Sequence, residues 1–219
     1  MNKFFSLILL AGSSLLLNSC RSTLTNQLPP QTNPEATSKQ ESLETQPSSL
    51  TYEHEQQGIT IKYPSDWEVR QGQQDKTINY PSDWEVNEDQ LDIVVVFLSP
   101  LENEDDRYQE KVNLVVMDLT SEPMTLQEFT QISQQEINLI ITDAKINSLT
   151  DIVISGEPAK KIDYQGKQEQ KDYHWRQVWL IKNDHVYLLT YSAVDADYEK
   201  YLPLVQEIFD SLQINEKTD

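Results

Sequence analysis

Residues 51–214 contain a series of strand-like segments joined by short connections. Segments such as "GITIKY", "DYHWRQVWLIK" and "HVYLLTYSAV" alternate in the way expected of strands with one face in a core. The segment "LDIVVVFLSP" is apolar almost throughout, which is typical of a central strand covered on both faces. Gly58, Gly156 and the pair Asn183-Asp184 mark turns between segments. Because the connections have hairpin length, we expect antiparallel pairing.

Two further segments have helical spacing. Thr125 and Glu128 form a capping-box pattern, and apolar residues recur three or four positions apart after them. A second apolar stripe covers residues 198–212 and contains Pro203, which predicts that this helix begins or kinks there. The order of strands, helix, strands and helix predicts an antiparallel sheet with helices packed on it, in an α+β layered domain.

One phrase, "YPSDWEV", occurs twice in this domain. Residues 60–75 and 77–92 are identical at eleven of sixteen positions. Two copies with a period of seventeen residues are too few and too short for a solenoid. Because seventeen is odd, one continuous strand would turn Trp67 and Trp84 to opposite faces, so one pocket cannot receive both. We interpret residues 60–93 as containing a tandem duplication in which either copy fits the core and the other is looped out.

The N-terminus has the features of an export signal. Residues 1–19 carry one lysine near the start and an apolar run that ends in Leu-Asn-Ser before Cys20. This ending resembles a bacterial lipobox, which implies removal of residues 1–19 and acylation of Cys20; a plain signal peptide or a short membrane anchor is the alternative. The rest of residues 20–50 lacks aromatic residues and is rich in Ser, Thr, Gln and Pro, which predicts a disordered tether. We interpret residues 215–219 as a tail.

The charge balance limits the kinds of partner. The chain has 17 Lys+Arg, 36 Asp+Glu and a formal net charge of −19. Such a field repels nucleic acid and anionic lipid head groups, so we predict no nucleic-acid partner and expect membrane contact through the lipid. It favours cations and basic protein surfaces, although solubility alone would also explain it. Cys20 is the single cysteine, which excludes an intramolecular disulfide.

Few residues have the spacing of a chemical site. His54, His174 and His185 lie in separate segments without partners at metal-ligand spacing, and no serine lies in a Gly-x-Ser-x-Gly elbow. We therefore predict no enzyme activity and no firm cofactor. The loop "ENEDD" is best interpreted as a solvated acidic turn. Its weaker alternative is a calcium or manganese site formed by four carboxylates: Glu102, Glu104, Asp105 and Asp106.

Several phrases stand in the order of one known family: "GITIKYPSDWEV", "VVVFLSP", "VNLVVMDL", "TLQEF", "GEPAKKIDY", "WLIKNDHVYLLTYSA" and "YEKYLPLVQEIFDSLQI". With them, residues 51–214 resemble the PsbP family, the extrinsic proteins of photosystem II and their cyanobacterial lipoprotein relatives. The resemblance implies a Mog/PsbP-like fold, in which a central antiparallel β-sheet is packed between α-helices in an α/β/α sandwich. Two departures are the sequence from Lys111 to Asn113, where family members often have Asn-Val-Asn, and the second Tyr-Pro-x-x-Trp phrase, which the family has once.

The resemblance also implies a function. It predicts a lipid-anchored, non-enzymatic accessory or assembly factor associated with photosystem II on the lumenal side. The implied partners are photosystem II subunits or assembly intermediates. The implied location is the thylakoid lumen or the periplasmic side of a cyanobacterium-like cell. The residues leave open an alternative, in which an exported lipoprotein module binds a cation, a small ligand or another envelope protein.

Overall fold

The structure, a computed structural model, describes residues 48–72, 91–106, 108–168 and 171–215. The predictions for the signal peptide, Cys20, most of the tether and most of the second copy of the phrase lie outside these residues. In chain order, the first half of the fold contains β1 Ser49–His54, β2 Ile59–Pro64, β3 Glu68–Gln71, β4 Leu91–Leu98, β5 Lys111–Asp118 and α1 Leu126–Ile140. The second half contains β6 Thr142–Ile154, β7 Glu157–Gln168, β8 Lys171–Lys182, β9 His185–Val194, α2 Tyr198–Asp210 and β10 Gln213–Ile214.

The strands form two antiparallel sheets. The large sheet has the order β3-β4-β5-β9-β8-β7-β6, and the small sheet has the order β1-β2-β10. The hairpin from β1 to β2 turns at Gly58, whose φ is 64°, and the hairpin from β8 to β9 turns at Asn183 and Asp184, whose φ values are 51° and 57°. The turns predicted at these positions are therefore confirmed.

The large sheet lies between two apolar cores. One core joins the sheet to α1 and includes Phe129 of the helix and Trp179 of β8. The other core joins the sheet to α2 and the small sheet and includes Phe209 of the helix and Ile61 of β2. A central antiparallel sheet between helices is therefore confirmed. The small sheet, which shares the α2 face, is an addition that the sequence did not predict.

The two helices begin differently: α1 begins with a capping box, whereas α2 begins before its proline and not at it. At α1, the Thr125 hydroxyl accepts the Glu128 N–H at 3.2 Å and the Glu128 carboxylate accepts the Thr125 N–H at 2.8 Å, so the capping box is confirmed. At α2, the helix begins at Tyr198 and Pro203 lies inside it. A helix start at Pro203 is therefore excluded; the proline has no N–H to donate to the carbonyl of Glu199.

The first copy of the duplicated phrase builds β2 and β3. Trp67 is 4% exposed, and its ring meets the Tyr201 ring edge-on with centroids 6.0 Å apart. Tyr63 stacks on Phe97 of β4 with centroids 4.9 Å apart. The sequence left open which copy enters the core, and the structure places the first copy there. The second tryptophan, Trp84, lies outside the described residues.

The residues just before the phrase explain why the first copy, and not the second, packs into the core. Gly58 has a positive φ, and a Cβ at this position would lie 2.6 Å from the carbonyl oxygen of Asn215, so only glycine fits. Ile59 is 1% exposed. The positions that precede the second copy by the same spacing are Asp75 and Lys76. An aspartate side chain in that turn and a buried lysine would both be costly, so the first copy is preferred.

A deletion of residues 60–76 should leave the domain folded, with a melting temperature within about 5 °C of the parent. The deletion joins Ile59 to the second copy, which supplies identical residues at the positions of Ile61, Tyr63 and Trp67. The shorter connection to β4 draws the first residues of that strand into the turn, so we expect no gain in stability. Thermal unfolding followed by circular dichroism measures the effect.

A deletion of residues 60–75 is the matched control, because it removes one residue fewer. It leaves Lys76 between Ile59 and the phrase and shifts the strand by one position, which turns its apolar side chains to the wrong face. We expect this variant to be much less stable. Unfolding of the longer deletion as well would show that both copies are needed for the fold.

Candidate functional site

The connection from β4 to β5 meets the start of α2 at one end of the large sheet. The two ends of this connection are joined by Ser99 and Glu110. The Ser99 N–H donates to the Glu110 carbonyl at 2.8 Å, and the Glu110 N–H donates to the Ser99 hydroxyl at 2.9 Å. The Ser99 hydroxyl in turn donates to the Glu110 carboxylate at 3.0 Å. The loop between them is therefore closed at its base by a reciprocal pair.

Glu110 is a buried carboxyl group with an unusual titration range. Its exposed fraction is 2%, and Ser99 is fully buried. Burial raises the pKa of Glu110 to about 7; hydrogen bonds from its own backbone and from Ser99 lower it in part, and the charges of Asp197 and Asp106 raise it further. Glu110 therefore changes charge near neutral pH, whereas an ordinary glutamate does so near pH 4.5.

Two buried tyrosines that are electrostatically coupled to Glu110 form hydrogen bonds to β9 and to the start of α2. The Tyr108 hydroxyl donates to the Ser192 hydroxyl of β9 at 3.2 Å. The Tyr191 hydroxyl donates to the carbonyl oxygen of Tyr198 at 3.0 Å, and the two rings stack with centroids 5.2 Å apart. Burial raises the pKa of Tyr108 and of Tyr191, so both hydroxyls stay protonated and act as donors. The arrangement fixes the first turn of α2 on the sheet.

The acidic loop predicted from the sequence is a hydrogen-bonded turn. The Asp106 carboxylate accepts the N–H groups of Glu102 and Tyr108, both at 2.9 Å. The Asn103 side chain accepts the N–H of Asp105 at 2.9 Å and that of Asp106 at 3.1 Å. These bonds shape the loop from within, as is usual for Asp and Asn in turns.

The loop is attached to α2 by one carboxylate. The side chain of Glu102 forms an ion pair with the Lys200 ammonium and accepts the Tyr201 hydroxyl at 3.2 Å. In the described ranges, no three His, Cys, Asp or Glu side chains are grouped so as to hold a metal ion. The calcium or manganese site at Glu102, Glu104, Asp105 and Asp106 therefore stays a prediction.

A second polar cluster lies on the other side of Tyr198. Asp163 of β7 and Arg176 of β8 are directly opposite each other and form two hydrogen bonds, at 2.6 Å and 3.2 Å. Asp163 also accepts the hydroxyls of Tyr198 at 2.9 Å and Ser148 at 2.8 Å. Arg176 donates to the Gln206 side chain of α2 at 3.1 Å. This cluster fastens α2 to the outer strands.

The environment of Asp163 favours its charged form. Burial alone would raise its pKa, but the hydrogen bonds from Arg176, Ser148 and Tyr198 and the charge of Arg176 outweigh burial and lower it. The pKa of Arg176 is raised, because the bond and charge of Asp163 outweigh the desolvation of the guanidinium. The pair is therefore ionised at neutral pH, and the Asp163 carboxylate accepts four hydrogen bonds from within the chain.

The histidines and core aromatics occupy separate places. His174 shares a hydrogen bond with Gln165 at 2.8 Å and lies 3.4 Å from the Asp195 carboxylate, whereas His185 contacts the Asn183 carbonyl at 2.7 Å. His54 lies at the end of β1. Five aromatic side chains of β8 and β9 are buried in the core: Tyr173, Trp175, Trp179, Tyr187 and Tyr191.

These clusters fasten the acidic loop and α2 to the large sheet. Two serines of these clusters are bonded to carboxyl groups: Ser99, which is fully buried, to Glu110, and Ser148 to Asp163. Neither α1 nor α2 combines the length and apolar character that a membrane-spanning helix needs; this holds for the described ranges. At this end of the sheet, an acidic loop anchored to α2 is exposed to solvent. Such a surface can bind a partner.

Sequence reasoning missed Glu110, Asp163 and Arg176. Each lies in or beside a strand and matches no motif, so spacing carries no sign of it. The available signal is a charged residue at an interior position of a strand-like segment, as for Asp163 in "KKIDYQG". Its partner becomes evident only once the register of β7 and β8 is known.

Comparison with known proteins identifies the fold family. The PsbP family model matches residues 48–214. The chain belongs to the PsbP family. The resemblance noted in the sequence is therefore confirmed. A search of curated proteins gives no match.

One solved structure with a TM-score above 0.5 agrees with the fold of this PsbP-family chain, and two others follow it for comparison. Cyanobacterial PsbP (CyanoP) from Synechocystis sp. PCC 6803 is 13% identical, with a TM-score of 0.54 over 77% of this chain and 93% of that chain. LpqN of Mycobacterium tuberculosis, involved in cell envelope biogenesis, is 12% identical, with a TM-score of 0.49 over 77% and 91%. The Ran-binding protein Mog1p of Saccharomyces cerevisiae is 11% identical, with a TM-score of 0.49 over 76% and 95%. At 13% identity, the likeness to cyanobacterial PsbP concerns the fold alone.

Proposed function

We propose that this PsbP-family protein is a lipid-anchored, non-enzymatic accessory or assembly factor that binds photosystem II or its assembly intermediates on the lumenal side of the membrane. The observation that carries the proposal is the family match over residues 48–214, which covers the whole folded domain. The buried state of Ser99 and the four hydrogen bonds that the Asp163 carboxylate accepts from within the chain support a binding role without turnover.

The anchor confines the domain to the membrane surface. Acylated Cys20 would hold the chain, and the roughly thirty residues between it and β1 would span roughly 30 Å as a flexible coil. Such a tether raises the effective concentration of the domain at integral membrane complexes. A weak contact with the partner is then sufficient for association.

The charge of the domain selects the partner surface. With a formal net charge of −19, the chain is attracted to basic protein surfaces and repelled by acidic ones. The loop that carries Glu102, Glu104 and Asp105 presents this charge at one end of the sheet. Attraction between exposed charges is screened by salt, so the contact itself should be salt-sensitive while the lipid is not.

We expect the full-length protein to co-fractionate with photosystem II or its assembly intermediates from native membranes, and to be partly retained after a salt wash. The domain of residues 48–219 should bind the same complexes at low salt and be released by moderate salt, since it lacks the anchor. Fractionation followed by mass spectrometry measures both. A Cys20→Ala protein should carry no label from a palmitate analogue and should leave the membrane in the wash.

A different distribution would contradict the proposal. If the acylated protein spreads evenly over all membranes and the domain shows no affinity for photosystem II at low salt, the photosystem assignment fails. An exported module that binds a cation, a small ligand or another envelope protein would then take its place. Label that persists on the Cys20→Ala protein would contradict acylation at this residue.

A further inference from the structure

A row of polar side chains crosses the face of the large sheet that is turned towards α1. Asn113 of β5 lies directly opposite Thr190 of β9, and Thr190 lies directly opposite Gln177 of β8. The three side chains are at most 3% exposed. Their neighbours on the same face of each strand are apolar members of the core between the sheet and α1: Val115, Leu188, Trp175 and Trp179. The row therefore lies inside the protein, where a polar atom needs a hydrogen-bond partner.

One hydrogen bond joins two members of this row. The side-chain nitrogen Nε2 of Gln177 donates to the Thr190 hydroxyl oxygen at 3.1 Å. This bond uses one lone pair of the hydroxyl and leaves its hydrogen available to donate. On the other side of Thr190, the side-chain oxygen Oδ1 of Asn113 is enclosed and has no hydrogen-bond partner among the described residues. A hydroxyl donor thus stands beside a buried acceptor that lacks a donor.

The separation and the chemistry of these two groups suit one small neutral molecule. Residues directly opposite each other in an antiparallel pair have Cβ atoms about 5 Å apart, yet Asn113 and Thr190 do not bond directly. A water molecule bridges such a pair, because it accepts one hydrogen bond and donates another. Neither an amide oxygen nor a hydroxyl carries a charge, so the pair offers no compensation for a buried ion.

We propose that Asn113 and Thr190 bind an internal water molecule in the core between the large sheet and α1. The Thr190 hydroxyl donates to the water oxygen, and the water donates to Asn113 Oδ1. Gln177 supports this arrangement, since its bond to Thr190 directs the hydroxyl hydrogen away from the Gln177 amide and towards the water. The site satisfies the buried amide oxygen, which is the usual role of internal water. It lies within this chain and does not depend on the partner proposed above.

Magnetic relaxation dispersion of the solvent counts the long-lived internal waters of the full chain in detergent micelles. We expect Asn113→Leu, which has a similar volume and no acceptor, to hold one such water fewer than the parent. Thr190→Val, which replaces the hydroxyl with a methyl group, should show the same loss. Ser133→Ala is the matched control: this buried hydroxyl donates to the Phe129 carbonyl of its own helix at 2.7 Å, so its removal should leave the number unchanged.

NMR of the unmodified sequence gives a second readout, which does not depend on the folding of any variant. The side-chain amide protons of Asn113 should show a cross-relaxation peak with water, with the sign of a slowly exchanging bound molecule. Absence of this peak would overturn the proposal, and so would a direct hydrogen bond from the Thr190 hydroxyl to Asn113 Oδ1. Equal numbers of long-lived waters in the parent and in a folded Asn113→Leu protein would overturn it as well.

Discussion

Replacement of Trp67 with alanine is expected to lower the free energy of unfolding by about 3–5 kcal/mol. The side chain is 4% exposed and belongs to the core between the large sheet and α2, where its ring meets Tyr201. Removal of the indole leaves a cavity under the first turns of the helix, which the rigid sheet cannot fill. Urea denaturation followed by fluorescence and circular dichroism gives the free energy of unfolding.

Trp84→Ala is the matched control, because it makes the same change in the other copy of the phrase. One pocket receives one tryptophan, and Trp67 occupies it, so we expect Trp84→Ala to change the free energy of unfolding by less than about 0.5 kcal/mol. Equal losses in the two variants would mean that both copies are built into the core. A negligible loss in Trp67→Ala would show that the copies exchange places.

Replacement of Arg176 with methionine should also cost about 3–5 kcal/mol, because it leaves the buried carboxylate of Asp163 without its counter-ion. Both side chains are mostly buried, with 13% and 17% of their surfaces exposed. The hydroxyls of Tyr198 and Ser148 remain as donors to Asp163 but carry no charge. Urea denaturation at pH 7 measures the loss.

The pH dependence of this variant separates charge from packing. In the parent, the pKa of Asp163 is lowered by its hydrogen bonds and by Arg176, so its stabilisation is present above the ordinary value of 3.8 and is lost as the pH falls through the lowered value. In Arg176→Met, the decrease in stability at acidic pH should be smaller than in the parent. The double variant Asp163→Asn with Arg176→Met should recover part of the stability at pH 7. No recovery would mean that packing against Gln206 and α2 accounts for the loss.

The sequence predicted the elements whose periodicity is strong. The capping box at Thr125, the apolar run of β4 and the turn at Asn183 follow from local physical rules, and each is found as expected. The start of α2 was harder, because Pro203 fits the first turn of a helix as well as a later position. Here the packing of Tyr198 against Tyr191 extends the helix towards its N-terminus.

The features that the sequence did not predict depend on distant contacts. β10 has two residues and no period of its own; it forms because Gln213 and Ile214 pair with β2, more than a hundred residues earlier in the chain. The raised pKa of Glu110 likewise depends on burial by distant segments and, to a smaller extent, on acids from two different connections. Hydrophobic alternation and helix capping depend on residues a few positions apart. They therefore carry no information about contacts between segments that are distant in the sequence.

The outer strands of the large sheet affect whether neighbouring copies of this domain pair through their sheet edges. β6 has thirteen residues and, in the described part of the chain, pairs with β7 alone, so its other edge offers a long row of backbone groups. The register shifts twice, between Thr142 and Lys145 and between Ile146 and Ser148, and such bulges disturb an edge as a template for another strand. The opposite outer strand, β3, has only four residues. Domains held side by side on one membrane would therefore tend to remain separate instead of joining their sheets into fibres.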